Sequence, residues 1–356
     1  MEKAEFEFLR DLLNTMSPSG YEEEASVLWK KKAGTFAEKM WTDLHGNSIA
    51  VVNEKGSPRV MLAGHIDEIG FLVKYIDDKG FISFAPIGGH DPQIPQGQRV
   101  WIKTEKGKIP GVIGKKPIHL LDPEDRKKVV QIEKLWIDIG ANSKEEAEKL
   151  VKIGDPITLA YSMEELLNNK VVSKGIDDKV GAFVVLEALR LLAEDRPKAA
   201  VYSVATVQEE IGLRGAKTSA FGIDPKVGIA VDVTFATDSP DFDKSDRKKI
   251  GDIRIGKGPV IARGPNINHK VFELLVKTAE EEGIPYQVEG IPRGTGTDAN
   301  VIQLTRAGVA TGLISIPNRN MHTPCEIVSL DDLENAYKLI AAFVRRIDDT
   351  TDFRPY

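Results

Sequence analysis

The 356-residue chain carries a single cysteine, Cys325. That excludes an internal disulfide and any thiolate-rich zinc site, so a metal held here must take imidazole and carboxylate ligands. No apolar run approaches the roughly 20 residues that a membrane helix needs. The first residues, MEKAEFEFLRD, are acidic where a secretory signal is basic and then apolar. Both absences predict a cytoplasmic protein with no membrane partner. Positive charge is not in excess either: 48 Lys and Arg against 54 Asp and Glu leave a net charge of -6, which disfavours a nucleic-acid partner. Aromatic residues, at 7%, are sparse for a sugar-binding cleft. Internal repeats and low-complexity tracts are absent.

What is present is a chain that can bury a large core, with 41% hydrophobic residues and room for two domains. EFEFLRDLLNTM has apolar residues at helical spacing, SPSG breaks it, and YEEEASVLWKKKAG resumes a helix with acids early and lysines late. NSIAVVNE and RVMLAGHID follow as strands around a KGSP turn, and the second is apolar enough to be covered on both faces. From about Gly70 to Leu167 the texture changes to short β-rich pieces. FLVKYI-DDKG-FISFAPI and RVWIKTE-KGK-IPGVIG read as hairpins, LWIDIGA and DPITLAY as two more strands, and SKEEAEKLVK as a short helix with Ser143 and Glu146 at capping-box spacing. Alternating helices and strands then return: DDKVGAFVVLEALRLLAED, HKVFELLVKTAEEEG, DANVIQLTRAG and LDDLENAYKLIAAFVRRIDD as helices, and AAVYSVATVQEE, VGIAVDVT and VATGLISIP as strands. Residues 1–69 and 168–356 therefore predict one α/β domain, interrupted by a β-rich insert at 70–167.

The buried-looking strands share a pattern. VMLAG runs into His65 and Asp67, VYSVATV into Glu209 and Glu210, and VGIAV into Asp232, while GLISIP precedes His322 by a few residues. In an open α/β sheet the C-terminal strand edge forms the ligand crevice, so these groups can meet there, and Asp177-Asp178 at the start of the helix after the insert can face it too. Two imidazoles and several carboxylates suit zinc, cobalt or manganese. The surplus of acids suits two ions about 3.5–4 Å apart, sharing a carboxylate and a water whose pKa falls toward roughly 7, hence hydrolysis. Structural alternatives exist: Asp177 or Asp178 as a helix cap, Asp232 as a hydrogen-bonded core acid, and His322 as a surface histidine.

AGHIDEIG, SKGIDDKVGA, TVQEEIGLRGA, AVDVT and NMHTP occur in the order and spacing of the tetrahedral, or TET-type, dinuclear metallo-aminopeptidases, also called deblocking or glutamyl aminopeptidases, which the chain resembles over nearly its whole length. The resemblance implies a zinc-peptidase-like catalytic domain with a mixed, mostly parallel sheet covered by helices, and a small β-barrel-like insert. It implies two divalent ions per subunit, zinc or cobalt with manganese also accepted. Asp177 would bridge them, His65 and Asp232 would complete one, and Glu210 and His322 the other. Glu209 would be the general base, and Asp67 would orient His65. The activity implied is removal of N-terminal residues from peptides through a metal-bridged hydroxide. The insert would pair subunits into dimers that assemble into a tetrahedral dodecamer.

Other expectations are narrower. A carboxypeptidase or deacylase would need a cation for the substrate carboxylate, for which Arg214 and Arg293 are the candidates. A glycosidase, a label some similar sequences carry as endoglucanases, needs two carboxylates but leaves the histidines without a role. RGTGTDAN (293–300) lacks a phosphate-loop lysine and reads as a flexible loop capped by Asp298; the resemblance places it near the substrate pocket. DKSDRKK (243–249) reads as a solvated loop. His45, His119 and His269 read as surface or capping residues, and His90 in GGHDPQ as one that can reach a neighbouring subunit's site.

Overall fold

The computed structural model describes residues 1–356. Two amphipathic helices, α1 (Lys3–Leu13) and α2 (Glu23–Ala33), lead into strands β1 (Lys39–Thr42), β2 (Ser48–Val52) and β3 (Arg59–His65). The chain then leaves the main layer for β4 (Gly70–Ile76), β5 (Ile82–Ile87), β6 (Arg99–Thr104), β7 (Gly107–Gly114), β8 (Trp136–Asp138), α3 (Lys144–Glu148) and β9 (Pro156–Leu159). These six strands close into a barrel in the order β4-β5-β8-β7-β6-β9 around its own core, in which Phe71 and Phe84 meet edge to face at 5.1 Å. Closure removes the exposed strand edges that so small a sheet would otherwise present.

Next come β10 (Glu164–Leu166), β11 (Lys170–Ser173), α4 (Ile176–Glu194), β12 (Ala200–Thr206), α5 (Arg214–Ile223) and β13 (Val227–Phe235). The chain ends with α6 (Lys244–Ile250), β14 (Val260–Arg263), α7 (His269–Glu282), β15 (Gln287–Gly290), α8 (Ala299–Ile302), β16 (Ala310–Asn318), β17 (Glu326–Ser329) and α9 (Leu330–Arg345). The large sheet runs β1-β2-β12-β3-β13-β16-β14-β15, parallel through its centre from β12 to β16 and antiparallel at β1, β2 and the β16–β14 step. A third sheet, β10-β11-β17, joins residues just after the barrel to the C-terminal region. No helix is long and apolar enough to cross a membrane.

Helix α4 is apolar nearly all round and lies inside the larger of two cores flanking the main sheet, with α1, α2, α7 and α9 around it. The smaller core lies under α5 and α8. Gly64 sets how closely α4 approaches the sheet, and Gly181 leaves room for the Asp178 carboxylate of its own helix. A Cβ on Gly64 of β3 would lie 2.3 Å from the Gly181 carbonyl carbon, and one on Gly181 would lie 2.1 Å from Asp178 Oδ2. Only glycine lets the start of α4 press against the end of β3 there.

Several local expectations change. DKSDRKK is a helix, α6, because Asp243 accepts from the Ser245 and Asp246 amides and so caps it. DANVIQLTRAG forms only the single turn α8. SKEEAEKLVK is helical only over Lys144–Glu148. Ser143 caps it, but the Glu146 carboxylate turns back to the Asn142 amide rather than that of Ser143. The short pieces β1, β10, β11, β14, β15 and β17, and helix α5, have no counterpart in the sequence reading.

Candidate metal centre

The crevice opens where the central strands part. β3 pairs with β13 only as far as Ala63↔Ala230, whereas β3 and β12 stay paired to His65↔Thr206, and β13 and β16 to Phe235↔Asn318. His65 on one side and Asp232 on the other therefore face a gap in the sheet. Asp232 lies inside β13, three residues before its end, so it reaches the gap because the neighbouring strand has stopped, not because its own has.

Asp177 sits at the mouth of this gap with each carboxylate oxygen on a different imidazole. Oδ1 is 3.1 Å from His65 Nε2, and Oδ2 is 3.2 Å from His322 Nε2. Glu209 Oε2 lies 3.8 Å from His65 Nε2, and Glu210 Oε2 lies 3.6 Å from His322 Nε2. Ligand-type atoms of His65, Asp177 and Glu210 fall within 4.8 Å of one another, as do those of His65, Asp178 and Asp232. Seven of the eight residues singled out from the sequence thus meet through these contacts, and Asp67 packs against them.

Asp67 is held differently from the expectation. β3 ends at His65, so Asp67 lies beyond the strand. His65 Nδ1 is bonded at 3.1 Å to the Asp67 main-chain oxygen, with the carboxylate Oδ1 farther away at 3.6 Å. That carboxylate instead accepts from the Glu209 amide at 3.1 Å, the Glu210 amide at 3.2 Å and Ser19 Oγ at 2.6 Å. Glu22 accepts the preceding amide, that of Gln208, whose φ is +57°. Two buried acids therefore hold the turn that places both glutamates. His322 is oriented from the barrel, its Nδ1 lying 3.0 Å from the Gly89 carbonyl oxygen. His90 engages its own chain: Nε2 bonds the Gly70 carbonyl oxygen at 2.8 Å, and the ring stacks on Phe71 at 4.2 Å. Asp298 does not cap α8; it is buried and accepts from Thr206 Oγ1 at 2.6 Å.

Three carboxylate oxygens of this cluster, Glu209 Oε1, Glu210 Oε1 and Asp298 Oδ1, are buried without a hydrogen-bond donor. Burial, reinforced by neighbouring acids, raises Glu209 to about 11, Asp232 to about 8 and Asp298 to about 6, and lifts Glu210 and Asp178 well above the usual carboxylate range. Asp177 is lowered: burial opposes its charge, but the bonds to His322 and His65 outweigh it. Such crowding is what divalent cations relieve, and imidazole plus carboxylate is a donor set they accept. The residues present fit a metal centre.

Glu326 and Asp178 complete the surroundings. Asp178 accepts from the His65 amide at 3.1 Å and the Gly181 amide at 3.0 Å. Glu326, which the sequence reading missed, accepts from the amides of Asp177 and His322. Its signal was an acid four residues beyond His322 in HTPCE.

A family model described as M42 glutamyl aminopeptidase matches residues 46–339. The chain belongs to that family. It is accordingly a hydrolase, a metal-dependent aminopeptidase. Among its relatives, the lysyl aminopeptidase of Pyrococcus furiosus is 39% identical over 99% of each chain. The crystal structure of a TET aminopeptidase from a marine-sediment Thaumarchaeota archaeon superposes with a TM-score of 0.92 at 36% identity, over 97% of each chain. The TET1 peptidase of Pyrococcus horikoshii, described as assembling into a tetrahedron or a large octahedral shell, is 34% identical with a TM-score of 0.86, covering 96% of this chain and 100% of that one.

Proposed function

We propose that this M42 chain binds two divalent ions per subunit, with Asp177 shared between them, His65 and Asp232 on one, and Glu210 and His322 on the other. The observation that carries this reading is the pair of Asp177 oxygens, each turned to a different imidazole. Zinc and cobalt suit the donor set best, and manganese is compatible with it. When bound, the ions supply Lewis acidity to the scissile carbonyl and to an attacking water. Glu209, whose Oε1 has no donor of its own, takes the proton from that water and delivers it to the leaving amine nitrogen. Asp67 contributes by holding the amides of Glu209 and Glu210, which keeps base and ligand apart although they are adjacent in sequence.

Metal analysis of the purified protein beside a panel of chromogenic aminoacyl substrates tests this reading. Lysyl- and glutamyl- compounds come first, since those names are carried by a relative and by the family. Two equivalents of metal, cleavage abolished by chelation and restored by metal, and no cleavage of N-acetylated substrates are expected. Hydrolysis that survives exhaustive chelation would overturn it.

We further propose that residues 1–69 and 168–356 carry the chemistry and that the barrel segment, 70–167, is a subunit-contact module in a homo-oligomer, with the tetrahedral dodecamer as its full state. The support is a closed barrel with its own core, appended to a complete α/β layer, together with the assembly described for the P. horikoshii relative. Replacing residues 70–167 by a short linker should give a smaller particle by light scattering. It should also lower activity, because the Gly89 oxygen that orients His322 is lost. An unchanged particle mass would rule the module out.

A further inference from the structure

Glu326 opens β17, and its side chain is enclosed: the residue is 1% exposed. Its two oxygens are divided between two chain segments. Oε1 accepts from the His322 amide at 2.9 Å, and Oε2 from the Asp177 amide at 3.2 Å, 149 residues away in sequence. The side chains of those same two residues converge at 3.2 Å, His322 Nε2 to Asp177 Oδ2. The antiparallel register of β11 and β17, with Ser173 opposite Glu326, brings Lys174 and Gly175, and Asp177 in the first turn of α4, over the carboxylate. His322 has φ +61°, a left-handed conformation that residues with a Cβ seldom adopt and that surrounding bonds must hold.

We propose that Glu326 is a positioning residue of the metal centre: one buried carboxylate clamps the main chain of Asp177 to that of His322 and so sets the distance between the shared ligand and the second imidazole. The proposal rests on the two-ion reading above. A carboxylate is suited to the task because it offers an acceptor to each of two amide donors. Glutamine has nearly the same shape but one acceptor and one amino group, so one buried N–H would face a donor. Aspartate keeps both acceptors on a shorter arm, and its reach falls short.

The test compares wild type, Glu326→Gln and Glu326→Asp, each stripped of metal and titrated with cobalt(II) by calorimetry and visible absorption. Glu326→Gln should bind ions about 10–100-fold more weakly, with a changed cobalt spectrum, and should recover most of its kcat when metal is saturating; Glu326→Asp should fall between. A cobalt affinity and spectrum within twofold of wild type would overturn the proposal, whether or not the metal-free protein has lost stability. If Glu326→Gln does not fold, Glu326→Asp decides on the same readings. A wild type that binds fewer than two ions overturns the two-ion reading alone. The affinity of the variants for whichever ion does bind still decides the clamp.

Discussion

Glu209→Gln is expected to keep both ions and the native assembly yet lose turnover by ~10²–10⁴, the range typical of a general acid–base group. At about 1.4 kcal/mol per decade this is roughly 3–5 kcal/mol of transition-state stabilisation. An amide fits the same space and leaves Asp67 free to hold the turn amides, since those bonds come from the backbone of residues 209 and 210. It has, however, no basic oxygen pair to take the water's proton. Glu210→Gln should behave differently. Its Oε2 faces His322 and its Oε1 is buried without a donor, so loss of its charge should lower metal occupancy, and added metal should restore part of the activity. Metal content and kcat measured together separate the two: a metal-poor Glu209→Gln beside a metal-replete, inactive Glu210→Gln would reverse the assigned roles.

Glu68→Gln is expected to cost about 3–5 kcal/mol of folding stability at neutral pH, because it strands buried charge. Glu68 is enclosed and bonded to the ammonium groups of Lys174, at 2.8 Å, and Lys179, at 2.9 Å; both lysines are buried. With two cations on one anion, the forces resolve differently at each group. Burial dominates at Lys179 and pushes it down to about 7, while at Glu68 burial is outweighed by Lys174 and Lys179, which bring it to about 2. A carboxyl whose folded value lies below its ordinary 4.5 contributes stability that is present above about pH 4.5 and is lost as pH falls toward 2. The gap between wild type and Glu68→Gln in denaturant unfolding should therefore narrow over that interval. Lys179→Met, which leaves a one-to-one pair of Glu68 with Lys174, should cost much less. A Glu68→Gln variant within about 1 kcal/mol of wild type would show that the cluster is hydrated and not stranded.

The stretch GHIDE shows how far sequence reading reaches. Its three polar residues look alike as side chains at a strand end, and proximity to one another suggests one shared purpose. In the structure His65 faces the shared carboxylate of Asp177, Asp67 holds the amides of Glu209 and Glu210, and Glu68 turns away to bond two lysines. Helices with long apolar periodicity, such as α4 and α9, were legible because their pattern is local. RGAKTSAFGI, with two glycines and weak periodicity, does not read as the helix α5 that it forms, and the four-residue β17 exists through its pairing with the distant β11 and a bridge to Arg319. DKSDRKK was misread because its charge content spoke for a loop, while the decisive feature was one aspartate placed to cap.

By itself the sequence determined the α/β class with a β-rich interruption, the exclusion of thiolate chemistry, and the kinds of side chain gathered at strand ends. These follow from composition, local periodicity and residue chemistry, which need no knowledge of distant neighbours. Only the tertiary structure decided where the sheet parts between β3 and β13, which amides Asp67, Asp178 and Glu326 accept, and that a barrel carbonyl orients His322. The physical reason is that a carboxylate's role is set by the donors it meets, and here those donors are mostly backbone N–H groups. Every residue except proline carries one, so no side-chain pattern announces them; strand register and a glycine-limited helix approach bring them into place from as far as 186 residues away.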